Sequence, residues 1–83
     1  MKKLLFISMI FILNAGNIKE WEKGCKLNNR DSCNNLGVSY EFGKGVKQNK
    51  SKAKYYYGKT CDLKNQDGCD NYAKLNQEGY EKI

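Results

Sequence analysis

The segments GCKLNNRDSC, residues 24–33, and TCDLKNQDGC, residues 60–69, carry the same pair of cysteines 36 positions apart. With this offset, residues 21–40 and 57–76 are identical at seven of twenty positions. The identical pairs are Lys23 and Lys59, Cys25 and Cys61, Leu27 and Leu63, Asn29 and Asn65, Asp31 and Asp67, Cys33 and Cys69, and Asn35 and Asn71. Self-similarity at a fixed period of about 20–50 residues is typical of solenoids built from stacked repeats. The repeat therefore decides the fold prediction.

The first half of one period predicts a helix over residues 32–42. Its small and apolar residues recur at helical spacing, and Asp31 before them is a suitable N-cap. These stripe residues are Cys33, Leu36, Gly37 and Tyr40. Gly37 is unfavourable in a helix by about 1 kcal/mol, so we expect a close helix–helix approach to compensate for it. Gly43 stands where a left-handed C-cap is expected, and Gly45 keeps the following turn tight.

The second half predicts a helix over residues 50–61 with Asn49 as its N-cap. Its buried stripe is expected to contain Ala53, Tyr56, Tyr57, Thr60 and Cys61. Three consecutive tyrosines cover too much of a helix for all to be buried, and we expect Tyr55 to face outward. A further helix over about 68–78 follows Asp67 as cap, with Tyr72 and Ala73 as structural residues. No alternating pattern predicts a strand, so the fold class is all-α.

The positions of the cysteines on these helices predict how they pair. Cys25 and Cys61 each lie in the last turn of a helix, and Cys33 and Cys69 each lie in the first turn of the next. The pairing Cys25–Cys33 and Cys61–Cys69 follows, because the other two pairings force one repeat to fold onto another. Each bridge closes a loop of about nine residues, which stabilises the fold by about 2.5 kcal/mol in the chain-entropy account. A structural zinc site is disfavoured because the chain has no histidine and zinc prefers closer cysteine spacing, so no metal or cofactor is expected.

The first sixteen residues have the layout of a secretory signal peptide. Lys2 and Lys3 precede an apolar run from Leu4 to Leu13, and small residues follow at Ala15 and Gly16. A run this short does not span a bilayer core that needs about 20 residues, so no membrane anchor is expected. We therefore predict a signal peptide over 1–16, one domain over 17–83, and a secreted or periplasmic protein in which cysteines oxidise.

The charge of the chain restricts its partners. The formal net charge is +6, and it falls to +4 when Lys2 and Lys3 are removed. The lysines are spread along the sequence, and exported proteins seldom meet nucleic acid, so nucleic-acid binding is not expected. Loose adhesion to acidic glycans or lipopolysaccharide stays open as an alternative.

Residues 36–75 resemble one Sel1-like repeat. The resemblance rests on L-G-x-x-Y from Leu36, G-x-G-V from Gly43, K-A-x-x-Y-Y from Lys52, and the C-x7-C unit. The period and the cysteine pairs are similar to those of the cysteine-rich Sel1-like proteins of Helicobacter and Campylobacter. The resemblance implies a right-handed, tetratricopeptide-like solenoid of αα-hairpins, each stapled by a disulfide, which binds peptides or proteins. Some members are described as penicillin-binding proteins or weak β-lactamases, and others as secreted proteins that engage host cells.

The chain is short for a solenoid. It holds the end of one repeat, one full repeat over about 32–67, and the first helix of another. Solenoids usually need at least about three repeats to bury a continuous core. Either the last helix is a polar cap, or the chain is a truncated member of the family. Self-association through open repeat ends is a further alternative.

We interpret the chain as a protein- or peptide-binding module, with Tyr55, Asn34 and Asn35 as binding candidates. The alternative, which the resemblance implies, is a β-lactamase-like enzyme that binds or weakly hydrolyses penicillins or cephalosporins. Its partner would be a β-lactam or a cell-wall-related ligand, and its role antibiotic resistance. Ser51 and Lys54 form an S-x-x-K pair of the kind found in serine β-lactamases, but the S-D-N and K-T-G elements are absent. In a lysine-rich chain, S-x-x-K arises easily by chance.

Overall fold

A computed structural model describes residues 17–80, and these residues form four consecutive helices. Helix α1 covers residues 17–26, α2 covers Arg30–Phe42, α3 covers Lys50–Asp62 and α4 covers Gln66–Gln77. Helix α3 packs against both α2 and α4. The described part of the chain contains no strand, and the all-α prediction is confirmed. The predicted signal peptide, residues 1–16, lies outside the described residues.

Helices α2, α3 and α4 each begin at an asparagine cap. The side-chain oxygens of Asn29, Asn49 and Asn65 accept hydrogen bonds from the backbone N–H groups of Ser32 (3.1 Å), Lys52 (3.0 Å) and Gly68 (3.3 Å), respectively. The predicted cap Asn49 is therefore confirmed, whereas the prediction of Asp31 and Asp67 as caps is wrong. An asparagine two positions earlier already accepts a bond from one of the free backbone N–H groups at each helix start. Helices α2 and α4 therefore begin two residues before the predicted starts. Both aspartates lie instead in the first turn, where the helix dipole favours a negative charge.

The ends of α1 and α3 have the same backbone geometry. Asn28 and Lys64, which are 36 positions apart, both adopt positive φ angles, 66° and 70°. The next N–H groups then reach back into the helices, from Asn29 to the Gly24 carbonyl (2.9 Å) and from Asn65 to the Thr60 carbonyl (3.2 Å). This is the Schellman arrangement of a helix end. Since Asn29 and Asn65 both finish one helix and cap the next, almost no free chain separates the paired helices.

These tight corners place the cysteines within bonding distance. Cys25 is bonded to Cys33 and Cys61 to Cys69, with Cα–Cα distances of 4.7 and 4.5 Å. Both distances lie in the usual range of about 4.4–6.8 Å for disulfides. The predicted pairing is confirmed, and no cysteine in residues 17–80 is free.

The turn after α2 depends on glycine. Gly43 has φ 70° and caps α2 with its N–H on the Ser39 carbonyl, as predicted for a left-handed C-cap. Gly45 also has a positive φ, 77°. The chain can therefore reverse within the seven residues 43–49 before α3 begins.

The core lies between the helices, along the predicted stripes. Its buried apolar residues are Ile18, Cys25, Cys33, Leu36, Tyr40, Ala53, Tyr57 and Leu75. The close approach predicted at Gly37 occurs against Tyr57, because a Cβ at Gly37 would lie 2.6 Å from the ring. Tyr56 and Cys61, which are predicted to be buried on this stripe, are only half-buried. Tyr57 takes the position that faces Gly37.

Each disulfide corner has room for one small side chain only. A Cβ at Gly68 would lie 2.6 Å from the side chain of Thr60, and a Cβ at Gly24 would overlap the side chain of Ser32. With the 36-residue offset, Gly24 corresponds to Thr60 and Ser32 corresponds to Gly68. The glycine therefore precedes the first cysteine in one corner and the second cysteine in the other. In both corners, only one of the two facing positions can carry a side chain.

The last described helix presents a polar surface. Ala73 corresponds in the repeat to Gly37, which α3 covers, but residues 17–80 contain no helix after α4. Ala73, predicted to be structural, is therefore exposed, as are Asp70 and Gln77 on the same helix. Tyr72 is half-buried and packs against the core.

Candidate functional site

A groove of about 450 Å³ lies between α1, α2 and the loop that follows α2. It is lined by Asn17, Trp21, Asn35, Val38, Ser39, Lys44 and Gly45, and we call it the α1–α2 groove. Trp21 and Val38 are half-buried and packed against the core, so they form a fixed apolar floor. Asn17 and Asn35 are exposed and offer amide donors and acceptors. This combination of an apolar floor with a few polar groups suits recognition of a peptide segment.

The three predicted binding candidates do not lie together. Asn35 lines the α1–α2 groove, whereas neither Asn34 nor Tyr55 does. The Oδ1 atom of Asn34 is buried and has no hydrogen-bond partner within the described residues. Helical spacing explains why Asn34 and Asn35 point to different places, because neighbouring residues on α2 are about 100° apart. Tyr55 lies on α3.

Tyr55 lines a second, smaller groove of about 240 Å³. The other lining residues are Glu22, Cys25, Lys26, Tyr56 and Lys59. Tyr55 is half-buried, so the expectation that it faces outward holds only in part. Its ring meets that of Tyr56 edge-on, with centroids 5.1 Å apart.

Tyr56 connects this groove to α2. Its ring stacks on that of Tyr40 with centroids 5.7 Å apart and planes inclined by 9°. Burial of Tyr56, together with the nearby Tyr40 and Glu22, raises the pKa of its phenol. The Tyr56 phenol therefore stays protonated, and the stacked rings serve packing.

Glu41 is a buried carboxylate that the sequence did not single out. Its Oε1 atom accepts a hydrogen bond of 2.7 Å from the Tyr57 hydroxyl, and its Oε2 atom lies 2.8 Å from Nζ of Lys74. Glu41 is on α2, Tyr57 on α3 and Lys74 on α4, so one side chain joins three helices. Position alone gave no signal, because a glutamate near the end of a helix is usually exposed.

The pKa values in this cluster follow from the contacts. Burial acts to raise the pKa of Glu41, but hydrogen bonds from Lys74 and Tyr57 and the charges of Lys74 and Lys50 outweigh it and lower the pKa. The hydrogen bond to Glu41 raises the pKa of Lys74. Burial first, and then the contact with Glu41, raises the pKa of the Tyr57 phenol well above its usual range. These shifts keep Glu41 ionised, Lys74 charged and Tyr57 protonated, which are the forms that the two contacts of Glu41 require.

The candidate catalytic pair lies in the first two turns of α3. Ser51 is half-exposed, whereas Lys54 is buried. The ammonium of Lys54 donates hydrogen bonds to Asn76 Oδ1 (2.8 Å) and to the Tyr80 carbonyl (2.6 Å), and it lies 5.2 Å from the centre of the Tyr72 ring. These contacts fasten the end of α4 to α3. A side chain held this way is poorly placed to accept a proton from Ser51.

Residues 17–80 offer no metal centre, since they contain no group of three or more His, Cys, Asp and Glu side chains placed to hold an ion. In the same part of the chain, no helix has the length and apolar character needed to cross a membrane.

Residues 30–65 match the family model of the Sel1 repeat. The matched Sel1 repeat runs from the first residue of α2 to Asn65, the cap of α4, and so contains one complete αα-hairpin. The narrower resemblance to cysteine-rich proteins of Helicobacter and Campylobacter stays a prediction.

A protein of Haemophilus influenzae described as uncharacterized is 54% identical over 33 residues. The aligned region covers 40% of this chain and 64% of that protein, so the chain spans less than two thirds of the relative's length. Neither the Sel1 match nor this relative lends support to the β-lactamase alternative.

Proposed function

We propose that this chain is an exported, disulfide-stapled Sel1-like module that binds a peptide or protein segment in the α1–α2 groove. The observation that carries the proposal is the fixed apolar floor of Trp21 and Val38, edged by the amides of Asn17 and Asn35. A peptide offers the matching chemistry, with a side chain for the floor and a backbone amide for the asparagines. The Sel1 match supports an interaction role of this kind.

An oxidising compartment is part of the proposal. Both disulfides close the corners between helices, and such bonds persist in secreted and periplasmic proteins but are rare in the cytosol. The mass of the exported protein tests this directly. We expect it to lack the first 15 or 16 residues and to be lighter by four hydrogens than its reduced form.

The binding role is tested by selecting peptides from a random displayed library on the full oxidised chain. Fluorescence anisotropy then compares selected peptides on the wild type, on Asn35→Arg and on Asn71→Arg. Asn71 is a matched control because it occupies the same repeat position on α4. We expect Asn35→Arg to weaken binding by about tenfold, or about 1.4 kcal/mol, and Asn71→Arg to leave it unchanged. The proposal is contradicted if the selection enriches no peptide, or if the selected peptides bind both variants equally well.

Self-association through open repeat ends is a separate proposal. The exposed residues Asp70 and Gln77 give α4 a polar surface, which favours a capped end over an interface there. Sedimentation of the oxidised chain over a range of concentrations tests this. A mass that rises with concentration indicates self-association, and a constant monomer mass indicates a capped end.

A further inference from the structure

Positive charge is concentrated in one segment of the fold. Residues 42–61 contain six lysines and no aspartate or glutamate. By contrast, residues 17–41 hold four basic and four acidic side chains, and residues 62–80 hold two basic and four acidic. The basic segment consists of the loop after α2 and most of α3.

A groove opens on this segment, beside the loop. Its volume is about 460 Å³, and we call it the basic groove. It is lined by Tyr40, Val46, Lys47, Gln48, Asn49 and Lys52. Val46 is half-buried and packed against the core, so the groove has an apolar floor with cations beside it.

The loop that forms the groove is tied to α2. The backbone N–H of Asn49 donates to the Tyr40 carbonyl at 2.8 Å, and the side-chain amide of Gln48 donates to the Glu41 carbonyl at 2.8 Å. The groove is therefore largely formed before a ligand arrives, which lowers the entropy cost of binding.

Two lysines at or beside the groove, Lys52 and Lys44, lie over aromatic rings. Lys52 Nζ lies 4.8 Å from the centre of the Tyr40 ring, and Lys44 Nζ lies 5.8 Å from that of Phe42. A cation–π contact orients an ammonium group without using its N–H donors. Within residues 17–80 the ion pair closer than 4.0 Å is Lys74–Glu41, so Lys44, Lys47 and Lys52 have no carboxylate partner there at that distance.

We infer that the basic groove docks an acidic segment of a polypeptide, with carboxylates on Lys47 and Lys52 and an apolar side chain on Val46. This inference goes beyond the proposed function, since it assigns an acidic ligand to a second groove that shares no lining residue with the α1–α2 groove. Charge complementarity argues for an acidic occupant. The apolar floor beside the two lysines favours a peptide over a glycan polyanion, because a peptide can carry an apolar side chain next to anionic ones whereas a glycan polyanion carries none.

The probe is a fluorescein-labelled peptide in which pairs of Glu alternate with single Leu residues, beside the same peptide with Gln for Glu. Anisotropy is measured with the full oxidised chain and with two double variants, Lys47→Gln/Lys52→Gln and Lys19→Gln/Lys23→Gln. The second is a matched control, because it removes two exposed charges from α1. We expect the Gln peptide to bind at least about tenfold more weakly, and the groove variant to lose about fivefold to tenfold in affinity for the Glu peptide. The control should change affinity by less than about twofold.

Three outcomes overturn the inference. Equal losses in both double variants show attraction to overall charge. Heparin binding that depends on Lys47 and Lys52, without binding of the Glu peptide, assigns the groove to anionic glycans. Binding of the Gln peptide as tight as the Glu peptide, weakened by Asn35→Arg, excludes the acidic ligand and leaves the proposed function in place, so the two failures are distinguishable.

Discussion

Tyr57 donates a hydrogen bond of 2.7 Å to Glu41 in the interior, where the two residues are only 1% and 3% exposed. The other carboxylate oxygen of Glu41 accepts a hydrogen bond from the ammonium of Lys74 and forms an ion pair with it. This contact joins the two helices of the segment that matches the Sel1 repeat to the helix that follows it. A buried polar pair is costly to break, because the remaining partner loses both water and protein contacts.

We expect Tyr57→Phe to lower the free energy of unfolding by about 1–3 kcal/mol, since it leaves one oxygen of Glu41 without its donor. The ring and its packing against Gly37 are kept, so the loss reports the hydrogen bond. Urea denaturation of the oxidised chain measures it. Tyr55→Phe is the control, because Tyr55 is half-exposed. A similar loss in both variants contradicts a specific role for the Tyr57 hydroxyl.

Acid should destabilise the fold through Glu41. The pKa of Glu41 in the fold is lowered from its ordinary value of 4.5, so the ionised form stabilises the native state. That contribution is present above the ordinary pKa and is lost as the pH falls through the lowered folded-state pKa. We expect Glu41→Gln to narrow the stability difference between about pH 7 and pH 3 in urea titrations, relative to the wild type. Glu20→Gln, a change at an exposed residue, serves as control, and an equal change in both variants counts against the prediction.

The second disulfide corner should tolerate the residue pair of the first, with glycine at position 60 and serine at position 68 in place of Thr60 and Gly68. We expect Gly68→Ser to cost about 1–3 kcal/mol, because the new side chain meets that of Thr60 in a packed corner. Adding Thr60→Gly recreates the Gly24 and Ser32 arrangement of the first corner and should recover much of the loss. Thermal unfolding of the wild type, both single variants and the double variant gives the coupling energy. If the changes in unfolding free energy of the two single variants simply add in the double variant, positions 60 and 68 do not compete for the same space, and the prediction is wrong.

Each disulfide should contribute separately to stability. We expect replacement of Cys61 and Cys69 by serine to lower the free energy of unfolding by about 2–4 kcal/mol. Replacement of Cys25 and Cys33 is the matched comparison, since both bridges span eight positions. Urea denaturation of each variant measures the effect. Full alkylation of the wild type by a thiol reagent without reductant would show that the bridges are absent.

Lys54 should act through structure. We expect Lys54→Met to lower the free energy of unfolding by about 1–3 kcal/mol, because the methionine keeps the buried stem but loses the hydrogen bonds to Asn76 and Tyr80. Lys59→Met is the control for loss of a lysine on the same helix.

The same purified proteins test the β-lactamase alternative. We expect no turnover of a chromogenic cephalosporin that depends on Ser51. Turnover that survives repurification and disappears in Ser51→Ala contradicts the structural assignment of Lys54 and restores the catalytic pair.

Local signals in the sequence were strong where the repeat imposes them. The bond between Cys25 and Cys33 could be predicted from their positions. One lies at the end of a helix and the other at the start of the next, and the short connection brings the two together. Gly43 predicted a left-handed cap, since few other residues adopt that conformation cheaply. The predicted caps Asp31 and Asp67 failed because two capping residues lay close together, and only the backbone geometry at Asn28 and Lys64 selects the asparagines.

The candidate site was less predictable. Asn35 was singled out by composition alone, while the groove beside it depends on how Trp21 from α1 meets Val38 from α2. Glu41 was missed because its partners Tyr57 and Lys74 are 16 and 33 positions away. Nothing in the residues around Glu41 signals a contact over that distance.

By itself, the sequence determined the period, the helices and the disulfides, because these depend on spacing, capping and turn residues within a few positions of one another. The tertiary structure decided which polar groups are buried, which side of each corner needs a glycine, and where the grooves open. Those features depend on the distance between helices, and that distance is set by the packing of side chains far apart in the chain, such as Gly37 and Tyr57.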